Sequence, residues 1–337
     1  MNEEYIEISK DALVDDTKIN FDLFLRNFVG GQSRYVLFCH SNEHFTSQRR
    51  EQLLNRNIQT FYISTKDSSK YFEYKEKNLM NMVKDNSKST FEKSSTLYQV
   101  AKNLATDILS DPRSGHNLDR ATDWVGSTVA HIIQNENTFS GLFKVTTHDY
   151  HTFTHSVNSS VIGLLFGKYL SLNPHELECL GTGLLLHDIG KTALHSEIIN
   201  KRGCLTNEEY SIIKKHPKEG LDLLEHRKNI DGMSLKVVIQ HHENNDGSGY
   251  PYGIGGKDIH LFGHISRIID AYDAMTSDRP YAVAMRPFDT LLAIKGESLK
   301  CYNQELLKEF ICFLGLKDSR DKAGASDTIL TPSPIVE

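Results

Sequence analysis

Two adjacent histidines and a glutamate stand directly before a glycine-rich turn in HHENNDGSGYP, residues 241–251. The Asn, Asp, Gly, Ser and Pro residues that follow are typical of a loop, because glycine admits positive φ and proline stops a regular element. His241 and His242 end an apolar segment, LKVVIQ, so they lie where a buried element meets an exposed loop. A single histidine there is most often a core residue. Whether two form a site depends on what else the chain supplies.

The chain supplies many more such groups, since eleven of its sixteen histidines lie between His151 and His264. HTFTHS places His151 and His155 four residues apart, on one face if the segment is helical. LLLHDIGK, KKHPKEG and RIIDAYDAMTSDRPY add His187, Asp188, His216, Asp270 and Asp273. A carboxylate such as Asp188 in an apolar segment is costly unless it is paired or binds a cation. Lys191 offers the simpler alternative, an ordinary buried ion pair.

The donor set indicates metal chemistry of a particular kind. All of its groups are nitrogen or oxygen donors, which suit iron, manganese or catalytic zinc better than a structural, cysteine-rich zinc site. Six or seven ligands exceed the needs of one cation with open positions. The simplest arrangement is two cations bridged by Asp188, at the ~3.5–4 Å spacing used in phosphoryl chemistry.

Composition excludes several other classes of protein. The net charge of −6 argues against a binder of nucleic acid polymers, which is normally basic. The five cysteines form no CxxC, which favours reduced thiols and a cytoplasmic location. No apolar run reaches the ~18 residues that a membrane span needs, and the acidic N-terminal stretch lacks the apolar segment of a secretory signal.

The pattern along the chain predicts a mainly α protein in which a small α/β domain precedes an all-α domain. Residues 1–88 carry three predicted strands, YIEI, RYVLFC and QTFYIS, with amphipathic helices between and after them, and are expected to be a sensor or interaction domain. Residues 89–140 are predicted as a helical connector and 141–317 as the all-α domain. The polar, proline-containing residues 318–337 are expected to be a disordered tail.

HDIGK together with HHENNDGSGYP resembles the HD-GYP family of HD metal-dependent phosphohydrolases, over roughly residues 145–295. EIINKRGCLTNEEY, KKHPKEG and DAYDAMTSDRPY carry the same likeness. An HD pair alone is weak, but the joint spacing of the histidines and aspartates is specific. The positions that match the family's metal ligands are His155, His187, Asp188, His216, His241, His242 and Asp270.

The resemblance also implies roles for other residues. Lys191 matches a lysine that lies near the phosphate, so Asp188 and Lys191 are the expected catalytic pair, and Arg279 could bind a second phosphate. The GYP loop, which carries Asp246, Gly249, Tyr250 and Pro251, would cap the site. Asp246 and Tyr250 could instead serve the loop's own structure or contact a partner.

Three departures from the family pattern concern substrate contacts rather than the metals. Ala282 and Val283 follow Tyr281 where relatives usually carry basic residues. His264 stands where an arginine is frequent. His151 replaces a glutamate that helps some relatives bind a third metal, and a histidine could do the same.

The family hydrolyses the bacterial second messenger cyclic di-GMP, and the resemblance implies that activity here. Two divalent ions, iron or manganese, would be the cofactors, with linear pGpG as the first product and GMP as a possible second. GGDEF-type or other signalling proteins could bind the GYP loop, and a homodimer is possible. Two alternatives stay open: a weak or inactive domain that binds cyclic di-GMP or metal and signals through protein contacts, and a phosphohydrolase for another nucleotide.

Overall fold

The computed structural model describes residues 4–9, 12–29, 31–56, 58, 60–86, 88–134, 138–146, 152–199, 201, 203–277, 284–296 and 299–322. Its contacts divide the chain into two compact units, residues 1–146 and 147–337. Within the described ranges, no helix is both long and apolar enough to cross a membrane. The predicted class, mainly helical with a small strand-containing N-terminal part, is confirmed.

The first unit contains an antiparallel sheet of four strands in the order β1-β6-β3-β4, and a separate two-stranded pair, β2-β5. Strands β1, β4 and β6 coincide with the three predicted ones, whereas β3 was not predicted. The strands are β1 (Tyr5–Ser9), β2 (Thr17–Lys18), β3 (Leu23–Val29), β4 (Gln32–Cys39), β5 (His44–Phe45) and β6 (Thr60–Ser64).

Six helices complete the described part of this unit, and its core combines aliphatic and aromatic side chains. The Phe21 ring packs edge-on against Tyr71 and Tyr74, at centroid distances of 5.5 and 5.6 Å. The helices are α1 (Ser47–Asn55), α2 (Ser68–Lys77), α3 (Leu79–Lys84), α4 (Thr90–Ser110), α5 (Gly115–Gln134) and α6 (Thr138–Val145), with a 3-10 turn at Thr65–Asp67. Helices α4 and α5 pack on α2 and α3, so the predicted connector lies within the first compact unit.

All regular secondary structure in the described part of the second unit is helical, and loops such as residues 241–255 connect the helices. Its helices are α7 (Thr152–Tyr169), α8 (Pro174–Leu186), α9 (Ser196–Ile199), α10 (Asn207–Ile213), α11 (His216–Leu224), α12 (Gly232–Gln240), α13 (Leu261–Thr276), α14 (Pro287–Gly296) and α15 (Gln304–Lys322). Short 3-10 helices span Ile189–Ala193, Gly256–Asp258 and Leu299–Cys301. Helix α15 continues to Lys322, so residues 318–322 are helical and not part of an unstructured tail. Residues 323–337 lie outside the described ranges.

Helices α8 and α12 run side by side in the same direction. The Ser234 hydroxyl donates to the Cys179 carbonyl oxygen at 2.8 Å. One turn further along, Gly183 faces Val237 so closely that an added Cβ would lie 2.6 Å from the valine Cβ. The two helices therefore end at the same level, one immediately before His187 and the other immediately before His241.

The glycine of HDIGK has a packing role. A Cβ added at Gly190 would lie 2.0 Å from the His216 carbonyl oxygen and 2.4 Å from the Gly220 nitrogen. Both are backbone atoms of α11, which cannot move aside as the end of a side chain can. Gly190 thus permits the 3-10 helix after Asp188 to lie directly against α11, and this contact brings His216 towards Asp188.

Replacement of Gly190 by alanine is expected to destabilise the second unit by about 1–3 kcal/mol, because a methyl group is forced into a backbone contact. Thermal unfolding should show a melting temperature lowered by several degrees. Gly315 in α15 has open space around its Cα and is the matched control; Gly315→Ala should be neutral or slightly stabilising. Equal melting temperatures for the two variants would contradict the packing role.

Candidate metal centre

Three of the predicted ligands lie at helix ends, where backbone carbonyls lack their usual helical partners. His187 follows α8, His216 begins α11 after a short turn from α10, and His241 follows α12. Each ring places its Nδ1 against the carbonyl oxygen three residues earlier: Leu184 at 2.6 Å, Ile213 at 2.8 Å and Val238 at 2.9 Å. The last turn of a helix leaves such carbonyls free to accept.

These contacts fix the protonation of the three rings. A carbonyl oxygen can only accept, so each Nδ1 carries the proton and donates it. In a neutral imidazole, Nε2 is then left with a bare lone pair, which is the atom that binds metals. Burial keeps the rings neutral: it lowers the pKa of His187, lowers that of His216 to about 4, and lowers that of His241 far below the ordinary value.

The Nε2 atoms converge. Nε2 of His216 lies 3.0 Å from Nε2 of His241, and Nε2 of His187 lies 3.2 Å from Nε2 of His155. Nε2 of His216 and Nε2 of His241 cannot share a hydrogen bond, because each ring carries its proton on Nδ1. Lone pairs brought this close in a buried site repel unless a positive charge lies among them.

Asp188 stands between the two groups of rings and turns one oxygen to each. Oδ2 lies 3.6 Å from His187 Nε2 and 3.9 Å from His155 Nε2. Oδ1 lies 3.3 Å from His216 Nε2 and 3.9 Å from His241 Nε2. The carboxylate is 1% exposed, and Oδ1 has no hydrogen-bond partner among the described residues.

The Lys191 ammonium lies 2.6 Å from Asp188 Oδ2, so the ordinary ion pair does exist. Burial alone would raise the pKa of Asp188, but Lys191 and the neighbouring histidines His187, His216 and His155 together outweigh it, and the pKa falls well below its ordinary value. This pair satisfies only one carboxylate oxygen. The ionised carboxylate still directs Oδ1 at two bare nitrogens, which a simple ion pair does not explain.

His155 and Asp270 complete the first group. His155 lies within α7, and its Nδ1 contacts the carboxylate oxygen Oδ2 of Asp273 at 2.7 Å. Its Nε2 lies 3.1 Å from Asp270 Oδ1. Asp270 and Asp273 are one turn apart on α13, so one helix supplies both a candidate ligand and the group that orients its neighbour.

His242 links the centre to the GYP loop. Its Nδ1 lies 3.6 Å from Asp270 Oδ2, and the Tyr250 ring stacks on it at a centroid distance of 4.6 Å. The loop returns close to its own start: a Cβ at Gly249 would lie 2.3 Å from the Asn244 nitrogen. Asp246 accepts from Ser248, and the Tyr250–Pro251 peptide bond is cis. The loop thus forms a wall beside His242.

The residues present fit a pair of divalent cations. The donors are imidazole nitrogens and carboxylate oxygens, two groups of three lie within ligand-sharing distance, and a buried carboxylate oxygen faces the second group without a hydrogen bond. The two groups are His155, His187 and Asp188, and His216, His241 and His242. Such donors suit iron, manganese or catalytic zinc.

Several predicted positions lie elsewhere. His151, Arg279, Ala282 and Val283 are outside the described residues. His264 is buried at 8% exposure, and its Nε2 lies 3.0 Å from the Gly256 carbonyl oxygen, so the ring braces the segment that follows the GYP loop.

Two residues near the centre were missed as functional candidates. Asp273 was noted only for its i, i+3 spacing, and its contact with His155 spans 118 positions of sequence, which no local pattern reveals. Arg267 donates from Nε to Asn244 Oδ1 at 2.9 Å, and its guanidinium lies 4.9 Å from the centre of the Tyr302 ring. In the sequence, only the position of Arg267 one helical turn before Asp270 could have indicated that it lies near the centre.

Comparison with known proteins agrees with this geometry. Residues 145–306 match the model of the HD domain family. This segment is an HD domain. The resemblance found in the HDIGK and HHENNDGSGYP motifs is therefore confirmed.

Curated relatives are similar over about half of this chain or less. A cyclic di-GMP phosphodiesterase of Pseudomonas aeruginosa is 34% identical over 183 residues, which cover 54% of this chain and 44% of the relative. A 3'3'-cGAMP-specific phosphodiesterase of Vibrio cholerae is 33% identical over 149 residues, 44% of this chain and 32% of the relative. The chain spans less than half the length of these two relatives.

A solved structure extends the likeness in fold. An HDG"Y"P protein from Bdellovibrio bacteriovorus is similar over 93% of this chain and all of its own length, with a TM-score of 0.61 at 20% sequence identity. At that identity the similarity establishes a shared fold, and any argument about chemistry must come from the residues of this chain.

Asp188→Asn tests the bridging position, because it keeps the shape of the side chain and removes its charge. After reconstitution with Mn²⁺ and removal of excess ion, metal analysis should fall from about two ions per chain to less than one. Asp246→Asn, which alters an exposed loop carboxylate, is the matched control and should retain its metal. Full occupancy in the Asp188 variant would contradict the proposed bridge.

Proposed function

We propose that the HD domain is a metal-dependent phosphodiesterase that hydrolyses cyclic di-GMP to linear pGpG. The observation that carries the proposal is the buried carboxylate of Asp188, with one oxygen towards each of two converging groups of histidine nitrogens. Two cations bridged by one carboxylate suit the hydrolysis of a phosphodiester. The names of the curated relatives favour a cyclic dinucleotide as the substrate.

Each predicted ligand has a place in this proposal. His155, His187 and Asp270 would hold one divalent cation, while His216, His241 and His242 would hold the other, with Asp188 shared. Iron or manganese is proposed for both positions. When bound, the ions would supply Lewis-acid stabilisation of a phosphoryl oxygen and acidify water for the attack.

The remaining groups would position the substrate and keep the protonation state of the site. Asp273 holds the proton at Nδ1 of His155, and helix-end carbonyls do the same for His187, His216 and His241, so that Nε2 of these four rings stays available. Lys191, with a side chain 22% exposed, can turn its ammonium towards a phosphate oxygen once a cation shares the charge of Asp188. Arg279 is proposed for the second phosphate.

The exposed side of the centre indicates where substrate would enter. The candidate ligands His155, His187, Asp188, His216 and His241 have side chains that are 2% exposed or less, whereas those of Asp270 and His242 are 13% and 22% exposed. Tyr250 lies over His242 at this side. A phosphodiester would therefore approach over His242, Asp270 and Lys191, beside the GYP loop.

The decisive experiment measures turnover by protein purified without oxygen and loaded with Mn²⁺ or Fe²⁺. Cyclic di-GMP, 3'3'-cGAMP and bis-p-nitrophenyl phosphate would be offered separately, and the products identified by chromatography and mass. We expect cyclic di-GMP to yield pGpG fastest, with any GMP appearing later. Binding of cyclic di-GMP without hydrolysis would support the signalling alternative, and preference for another ester would overturn the proposed substrate.

Lys191→Met separates the lysine's chemistry from metal binding, because it keeps the length of the side chain but loses the ammonium. We expect kcat to fall by about 10²–10³, as for loss of one charge-stabilising donor, while metal content stays near that of the wild type. Lys201→Met removes a lysine paired with Glu209 outside the centre and is the matched control. Loss of metal with unchanged kcat per loaded centre would contradict the proposed role.

A further inference from the structure

A second group of metal-binding side chains lies at the opposite ends of α8 and α12 from the candidate centre. His175 and Cys179 are four residues apart near the start of α8, and Asp231 is the N-cap residue of α12. We call these three residues the His–Cys–Asp cluster; their donor atoms lie within 4.8 Å of one another. About 12 Å of helix separates Cys179 from His187, so the cluster is distinct from the centre.

Two distances from His175 within the cluster are close to those of a tetrahedral zinc site. Cys179 Sγ lies 3.7 Å from His175 Nε2, and His175 Nε2 lies 3.6 Å from Asp231 Oδ2. With zinc bonds of ~2.3 Å to sulfur and ~2.1 Å to nitrogen and oxygen, tetrahedral angles require edges of about 3.6 Å for sulfur–nitrogen and about 3.4 Å for nitrogen–oxygen. For these two pairs a shift of about 0.2 Å closes the difference, and the Cys179 sulfur and the Asp231 oxygen lie within 4.8 Å of each other.

The side chains are held in place but keep their ligand atoms available. Asp231 Oδ1 accepts from the Met233 nitrogen at 2.7 Å, which leaves Oδ2 directed at His175. Cys179 is 3% exposed, while the side chains of His175 and Asp231 are 63% and 43% exposed. An ion could therefore enter from solvent and retain water as its fourth ligand.

A reactive thiol is the alternative use of such a cysteine, and the surroundings disfavour it. Burial and the charge of Asp231 raise the pKa of the Cys179 thiol to about 12, so the free sulfur stays protonated. A protonated, buried thiol is a poor nucleophile and a poor redox sensor. A bound cation would displace the thiol proton to solvent and stabilise the thiolate directly.

We propose that the His–Cys–Asp cluster binds one Zn²⁺, through Cys179 Sγ, His175 Nε2 and Asp231 Oδ2. The thiolate distinguishes this site from the nitrogen- and oxygen-donor centre and makes it selective for zinc over manganese. The ion joins the N-terminal ends of the two parallel helices whose other ends carry His187 and Asp188, and His241 and His242. It is therefore a structural clip for the pair of helices that positions the centre.

Cobalt substitution tests the proposal on the whole chain without an activity assay. A Co²⁺–thiolate bond gives a charge-transfer absorption in the near ultraviolet, and the candidate centre contains no thiol, so this band reports the cluster alone. We expect the band in the wild type, its loss in Cys179→Ser, and its retention in Cys204→Ser, which alters an exposed cysteine elsewhere. No band in the wild type, or a band that survives in Cys179→Ser, overturns the proposal.

Variants of the two exposed ligands, His175 and Asp231, provide a second test that does not depend on the folding of Cys179→Ser. Asp231→Asn retains a good N-cap residue but loses the ligand charge, and His175→Ala removes a ring that is mostly in solvent. In competition with a chromophoric chelator, each should bind zinc at least tenfold more weakly at this site. With the candidate metal centre first loaded with Mn²⁺, added zinc should raise the melting temperature of the wild type clearly more than that of His175→Ala. Unchanged affinity and an unchanged thermal shift in both variants would refute the clip.

Discussion

The structure of the second unit depends on the burial of one carboxylate. Removing Asp188 from water costs several kcal/mol unless other groups compensate its charge. Lys191 compensates at one oxygen only, and the other faces imidazole nitrogens that have no proton to give. Divalent cations would neutralise the charge of Asp188 and would also relieve the repulsion between the lone pairs of the imidazole nitrogens. The close approach of α11 at Gly190 serves this arrangement, because it brings Nε2 of His216 to 3.3 Å from Oδ1 of Asp188.

Helix ends turn this electrostatic requirement into a rigid geometry. The carbonyls that hold His187, His216 and His241 belong to the last turns of α8, α10 and α12. The C-terminal end of a helix carries partial negative charge, so three such ends near the centre favour cations there. Backbone also replaces the side-chain carboxylates that often orient metal-binding histidines. His155, which lies within a helix, is oriented instead by the carboxylate of Asp273.

The sequence predicted what depends on residue type and spacing, and missed what depends on distant contacts. The donor set, the helical character of the second unit, and strands β1, β4 and β6 all follow from local patterns. Strand β3, LFLRNFV, was missed because Arg26 and Asn27 interrupt its apolar character, although pairing with β4 and β6 stabilises it. Gly190 could be identified as a turn residue, but its contact with α11 could not. The pairing of His155 with Asp273 required the folded chain.

The distribution of exposure separates two tasks within the centre. The side chains of His187, His216 and His241 are fully buried and held by backbone, so they can determine which ions bind but cannot contact a substrate. Substrate selection must fall to the exposed side, where Tyr250 stacks on His242 and Arg267 anchors the loop through Asn244. His264 stands where relatives frequently carry an arginine, and its ring contacts the Gly256 carbonyl oxygen. A basic contact to substrate would therefore have to come from other residues. A buried ion-binding interior with a separate, exposed rim allows one fold to serve different phosphodiesters, since altering the rim need not disturb Asp188.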